Sequence, residues 1–159
     1  MEKLLLRVYS SEKISASFKI ISHASTVIGA LSFGAMLLHC YLAEPISALK
    51  LFLALLLPFF IVSIVRRVIN APRPYELYSF YDVKPKGKSG QSFPSRHVFS
   101  AFAIASLSFS VSVLIGILLI AIGIALAVAR VLLGMHFIRD VVAGGIIGII
   151  SGIIGIILI

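Results

Sequence analysis

From Val98 to Ala129 the chain runs for 32 positions without a charged residue. A transmembrane helix needs about 20 residues to cross a hydrocarbon core of about 30 Å, so this stretch is too long for one crossing and just long enough for two short ones. It predicts a helical hairpin that turns near 112–116. Lipid supplies no partners for backbone N–H and C=O groups, which restricts spanning segments to helices or closed barrels. With 60% hydrophobic residues and a mean hydropathy of +1.12, the rest of the chain points the same way.

Further apolar runs predict spans near 22–43, at 46–66 with Pro58 inside, and from about His136 to Ile159. Residues 1–20 mix Leu4, Leu5, Leu6, Val8, Ile14 and Phe18 with Lys3, Arg7, Lys13 and Lys19, a pattern suited to a helix lying in the membrane interface. They lack the apolar core and small-residue cleavage site of a removable signal peptide. The expected fold is all-α: an integral membrane helical bundle of about five transmembrane helices plus an N-terminal interfacial helix, forming one domain over residues 1–159. Residues 72–93 make up the one sizeable polar loop, whose Tyr75, Tyr78, Phe80 and Tyr81 suit the headgroup layer.

Three polar islands interrupt this pattern: Arg66 to Arg73-Pro74, Pro94-Ser95-Arg96-His97, and Arg130 with His136 and Asp140. Ionisable groups at membrane depth cost roughly 2.5–3.5 kcal/mol apiece on insertion scales and so need a compensating role. Five crossings bring all three islands to one membrane face, whereas a single crossing over 98–129 would strand Arg130 and His136 opposite His97. Asp140 stands four residues after His136, so on a continuous helix the carboxylate could orient the imidazole and leave its second nitrogen free. Alternatively, His136 is an interfacial capping residue and Asp140 pairs with Arg139 or Arg130. Gly134 allows a break that lets Arg130 end one helix and face the next. Arg66, Arg73 and Arg130 in one pocket would repel each other unless an anion lay between them, and the guanidinium fork matches phosphate. Ser95 after Pro94 suits a helix N-cap, with backbone N–H groups facing an anion and His97 just beyond.

These islands resemble the tripartite signature of the type-2 phosphatidic-acid phosphatase superfamily, written Lys-x6-Arg-Pro, Pro-Ser-Gly-His and Ser-Arg-x5-His-x3-Asp. The matches are Arg66-x6-Arg73-Pro74, Pro94-Ser95-Arg96-His97 and Ala129-Arg130-x5-His136-x3-Asp140, spread over about 75 residues. The resemblance implies that His136 attacks phosphorus to form a phosphohistidine, oriented by Asp140. His97 would protonate the leaving oxygen and later activate water. Arg66, Arg73, Ser95, Arg96 and Arg130 would bind the phosphate, and the scheme requires neither metal nor cofactor. In this chain Arg66 replaces Lys, Arg96 replaces Gly and Ala129 replaces Ser. Arg96 adds bulk and charge that could meet a second phosphate, a lipid acid or solvent; Ala129 removes one hydroxyl donor.

The implied activity is metal-independent dephosphorylation of a lipid phosphate or diphosphate of the phosphatidic acid, phosphatidylglycerol phosphate or undecaprenyl diphosphate class. The alternatives are a lipid phosphotransferase and a non-catalytic bundle that binds anionic lipid; a soluble haloperoxidase with a similar anion pocket is disfavoured by the composition. The net charge of +8 accompanies no nucleic-acid-reading motif, so the expected partners are the bilayer and its lipid phosphates. Cys40 is alone and can form no intrachain disulfide. Gly144, Gly148 and Gly152 form small-xxx-small steps that serve either packing within the chain or a homodimer face. His23, His39 and Glu44 read as interfacial or packing residues. The expected location is the cell membrane. The distribution of Lys and Arg favours a cytoplasmic site, and the family resemblance favours the outer face.

Overall fold

The computed structural model describes residues 2–78 and 89–158. Phe80, Tyr81 and the loop lysines Lys84, Lys86 and Lys88 lie outside them. The described residues form seven helical segments: α1 (Glu2–Tyr9), α2 (Glu12–Ala43), α3 (Pro45–Ile69), the single turn α4 (Pro74–Leu77), α5 (Arg96–Ser108), α6 (Val113–Leu132) and α7 (Ile138–Leu158). Helices α2, α3, α6 and α7 are each long and apolar enough to cross a membrane. Their outward faces carry large apolar side chains such as Leu31, Phe60, Leu114 and Ile157, all more than 60% exposed, as expected of a multi-pass membrane protein whose solvent is lipid.

The separate N-terminal helix is shorter than expected. It covers residues 2–9 alone, with Leu5 and Val8 buried, and it touches α2 and α6. Ser11 is extended at the N-cap of α2, and no Pro or Gly occurs from residue 12 until Gly29, so residues 12–20 join the long helix. The hairpin within 98–129 is present, but its turn lies at 109–112, just before the expected position. Backbone bonds from Phe109, Ser110 and Val111 close the end of α5, and the Ser112 hydroxyl accepts from the Ile115 N–H to open α6.

Helix α5 has 13 residues, about 20 Å in length, and touches α2, α3, α6 and α7. Its contacts with α7 ascend in step. Gly144 lies against Ser95 and Phe99, Gly148 against Phe99 and Ala103, Gly152 against Ala103 and Ser106, and Gly155 against Leu107. The two helices are therefore parallel. Along α6 the order reverses, since Gly116 lies against Phe109 and Gly123 against Phe102, so α6 is antiparallel to α5. The starts of α5 and α7 and the end of α6 thus share one end of the bundle. Arg66, near the end of α3, joins them by donating from an Nη to the Pro94 carbonyl at 2.6 Å.

The glycine stripe of α7 is spent inside the chain. A Cβ at Gly144 would stand 2.6 Å from the Ser95 carbonyl oxygen, and one at Gly148 would clash with the Phe99 carbonyl. The stripe is filled by α5 and is not free to form a homodimer face. Overpacking typically costs about 1–3 kcal/mol, and backbone has little room to yield. Gly148→Leu is therefore expected to lower the thermal unfolding temperature of the purified protein by several degrees, whereas Gly34→Leu, at an open position, should leave it within experimental scatter.

Candidate active site

The last turn of α3 ends at Asn70, whose left-handed backbone (φ 44°) redirects the chain toward Arg73. Arg73 is buried and donates from Nε to the Gly90 carbonyl at 2.9 Å. Glu76, three residues on, holds this corner: its carboxylate accepts from the Arg73 N–H at 3.0 Å and from the Gly90 N–H at 2.6 Å. Gly90 has φ +66°, and a Cβ there would collide with the Asn70 side chain. Residues 89–92 are thereby laid beside the start of α5, with the Ser92 N–H donating to the Ala71 carbonyl.

Ser95 occupies the N-cap of α5, and its carbonyl accepts from the Phe99 N–H. Its hydroxyl makes no capping bond, contrary to the sequence expectation, and is buried without a partner among the described residues. The reason is that its N–H is drawn to the Asp140 carbonyl at 2.9 Å, which sets the residue against α7. His97, one residue into the helix, faces the same cavity as His136.

His136 is not on a helix face with Asp140, because α7 begins at Ile138 and His136 lies in the connection after Gly134 (φ +66°). The pair still meets, with imidazole Nδ1 3.7 Å from Asp140 Oδ2. The direct bond from Nδ1 goes to the Ser92 carbonyl at 2.9 Å. Because a carbonyl only accepts, Nδ1 carries the proton and the neutral ring keeps its lone pair on Nε2. Asp140 Oδ2 accepts from the Ser92 hydroxyl and from the Phe137 N–H at 2.9 Å, so the carboxylate also caps α7. Arg139 is largely exposed and stands 3.6 Å from the other carboxylate oxygen.

Arg66, Arg73, Arg96, His97, Arg130 and His136 line one cavity of about 230 Å³. Among the described residues Arg66, Arg73 and Arg130 form no ion pair; they are held by the Pro94 and Gly90 carbonyls and by Met135 Sδ, 3.4 Å from an Arg130 Nη. The Nε atoms of Arg66 and Arg130 are buried without partners among the described residues. Such orphaned cationic donors around a cavity suit an oxyanion. Arg96 is anchored differently, 5.6 Å from the Phe59 ring centroid and 3.4 Å from the Ser63 hydroxyl, both on α3. Among the described residues no three of His, Cys, Asp and Glu converge as metal ligands.

Of the residues with a predicted role at the site, Arg66, Arg73, Arg96, His97, Arg130 and His136 line the cavity, and Ser95 and Asp140 adjoin it through the contacts described. Sequence reading missed Ser92 and Glu76. Glu76 was detectable, since Pro at a first helical position with an acidic residue in the same turn is a helix-start signal. Ser92 carried no comparable mark.

Burial drives the His136 pKa below its ordinary value; the nearby Asp140 opposes this, and Arg73 and Arg66 reinforce it. The ring should therefore stay neutral to below pH 6.5 in a histidine NMR titration, with the proton on Nδ1. Removing a reinforcing cation, as in Arg73→Gln, should move the midpoint upward. A midpoint above 6.5 in the native protein would contradict the described surroundings.

The sequence model of the PAP2 superfamily matches residues 47–159. Two solved structures are similar. A crystal structure of Aquifex aeolicus LpxE aligns with a TM-score of 0.72 at 26% identity, covering 91% of this chain and 86% of that one. The first transmembrane PAP2 type phosphatidylglycerolphosphate phosphatase from Bacillus subtilis aligns with a TM-score of 0.49 at 20% identity, covering 95% and 88%. No curated protein matches the sequence.

Proposed function

The chain belongs to the PAP2 superfamily, which implies phosphatase activity, and we propose that it removes phosphate from a membrane lipid phosphate or diphosphate without a metal, through a phosphohistidine on His136. The observation that carries this reading is a buried imidazole, with Nδ1 engaged by a carbonyl, opening on a cavity ringed by arginines that have no carboxylate partner among the described residues. His136 Nε2 attacks phosphorus, while Asp140 and Ser92 hold the ring. His97 gives a proton to the leaving lipid oxygen and then takes one from the attacking water. Arg66, Arg73 and Arg130, with Ser95 and Arg96 beside them, stabilise the charge that grows on the phosphoryl oxygens. A lipid phosphotransferase would use the same groups and differ only in its acceptor.

On this reading the chain is one membrane-embedded domain with five crossings. The fifth is α5, too short to span alone but continued by the loop before it and the turn after it, and enclosed by its neighbours. Irregular backbone at that depth is tolerated because protein surrounds it. The substrate reaches the site from the bilayer; phosphatidic acid, phosphatidylglycerol phosphate and prenyl diphosphates all fit the chemistry.

His136→Ala should reduce phosphate release from any lipid that the native protein hydrolyses by at least about 1,000-fold, with unfolding temperature nearly unchanged. Retention of more than a few per cent of turnover would remove His136 from the covalent step. The topology is checked separately. In a Cys40→Ser background, cysteines at positions 89 and 139 should label from one side of sealed vesicles and a cysteine at 112 from the other. Labelling of 89 and 139 from opposite sides would refute five crossings.

A further inference from the structure

Arg96 lies at the junction of two cavities. The polar cavity holds Arg66, Arg73, Arg130 and His136; an apolar one of about 310 Å³ is lined by Ser25, Gly29, Phe59, Ile104 and Leu126 from α2, α3, α5 and α6. Arg96 and His97 line both. A lipid with its phosphoryl group among the arginines and its tail in the apolar cavity must pass its scissile oxygen between them. The cation is held there by Phe59 and Ser63 of α3, not released to solvent.

The two side chains at this junction suit different leaving groups. An alkoxide needs a proton, which an imidazole can supply and a guanidinium cannot, since arginine stays protonated at any ordinary pH. A phosphate monoester leaves as an anion with a last pKa near 6, so it needs a fixed cation more than a proton. We propose that Arg96 makes this chain selective for lipid diphosphates, by holding the phosphate that bears the tail as it departs. This rests on the phosphatase reading above.

The step balances. The His136 Nε2 lone pair bonds to the terminal phosphorus, the bond from that phosphorus to the bridging oxygen breaks, and the bridging oxygen keeps the electron pair. The lipid monophosphate leaves with its new charge against Arg96. Water then bonds to the phosphorus, the P–N bond breaks with its pair returning to Nε2, and His97 takes the water proton. The products are inorganic phosphate and a lipid monophosphate.

The test uses the full chain in detergent with farnesyl diphosphate and farnesyl monophosphate, which share one tail. The native protein should favour the diphosphate in kcat/KM. Arg96→Gln should lower the diphosphate-to-monophosphate ratio by about 10- to 100-fold, the range expected for a lost hydrogen bond to a charged group. Arg96→Lys should restore much of it, and His97→Gln should shift the ratio the other way by costing the monophosphate more. Because both substrates are read on one preparation, the ratio does not depend on the folded fraction; Arg96→Met, which keeps an unbranched side chain and removes the charge, provides a second reading. A ratio unmoved by Arg96→Gln and Arg96→Met, or a native preference for the monophosphate, overturns the selectivity and leaves the phosphatase reading standing. Phosphate release from neither substrate nor from dioleoyl phosphatidic acid overturns both.

Discussion

The carboxylate of Asp140 accepts from the Ser92 hydroxyl and the Phe137 N–H, and the carbonyl of the same residue accepts from the Ser95 N–H. One buried residue thereby joins the loop before α5, the start of α5 and the start of α7. A hydrogen bond to a charged group contributes about 1.5–3 kcal/mol, and a buried acceptor left without its donor costs a comparable amount, so each of these segments is held near the position the others require. The glycines of α7 make the arrangement sterically available. A side chain at Gly144 would push the Ser95 carbonyl away, and the Ser95–Asp140 bond would be lost with it.

This junction also supports His136. Its Nδ1 proton goes to the Ser92 carbonyl, and the Ser92 hydroxyl goes to Asp140, so the carboxylate acts on the ring through Ser92 as well as through space. Among the described residues no carboxylate pairs with Arg66, Arg73 or Arg130 around it. Arg66 and Arg73 are held by carbonyl oxygens and Arg130 by a thioether, groups that position a guanidinium without cancelling it. Neutralising carboxylates would make a more stable core and a poorer anion site. Glu76 shows the distinction: it serves the Arg73 and Gly90 backbone N–H groups and leaves the Arg73 guanidinium to the cavity.

Most of this was legible in the sequence, for physical reasons that differ by feature. Charges beside apolar runs are costly in lipid, so Arg66, Arg73, Arg130, His97, His136 and Asp140 stand out wherever they occur. The length of the uncharged stretch gave the hairpin, because span length is set by bilayer thickness. Its turn was placed a few residues late, since several serines in 106–112 are compatible with a bend and only packing against Phe109 and Gly116 decides among them. The helical spacing of His136 and Asp140 suggested the right pairing by the wrong geometry: the left-handed Gly134 ends the helical path, and a loop brings the two together. Ser92 stayed hidden because its role is carried partly by its backbone carbonyl, which every residue possesses.

The position of the site follows from the cost of moving a lipid. Each methylene brought from hydrocarbon into water costs about 0.8 kcal/mol, so lifting a long tail out to a soluble site would outweigh anything a phosphate pocket returns. A protein acting on such a molecule does better to carry its cations to the membrane than to carry the tail to them. That is the arrangement here: the arginine cavity at the shared end of α3, α5, α6 and α7 adjoins an apolar cavity within the bundle, and Arg96 and His97 form the wall common to both. The penalty for four arginines beside apolar helices is offset in part by the carbonyl, thioether and ring contacts that hold them, and further when an anion occupies the space between them. A phosphate held by its own tail at that depth supplies the anion at the place where the protein is least able to do without one.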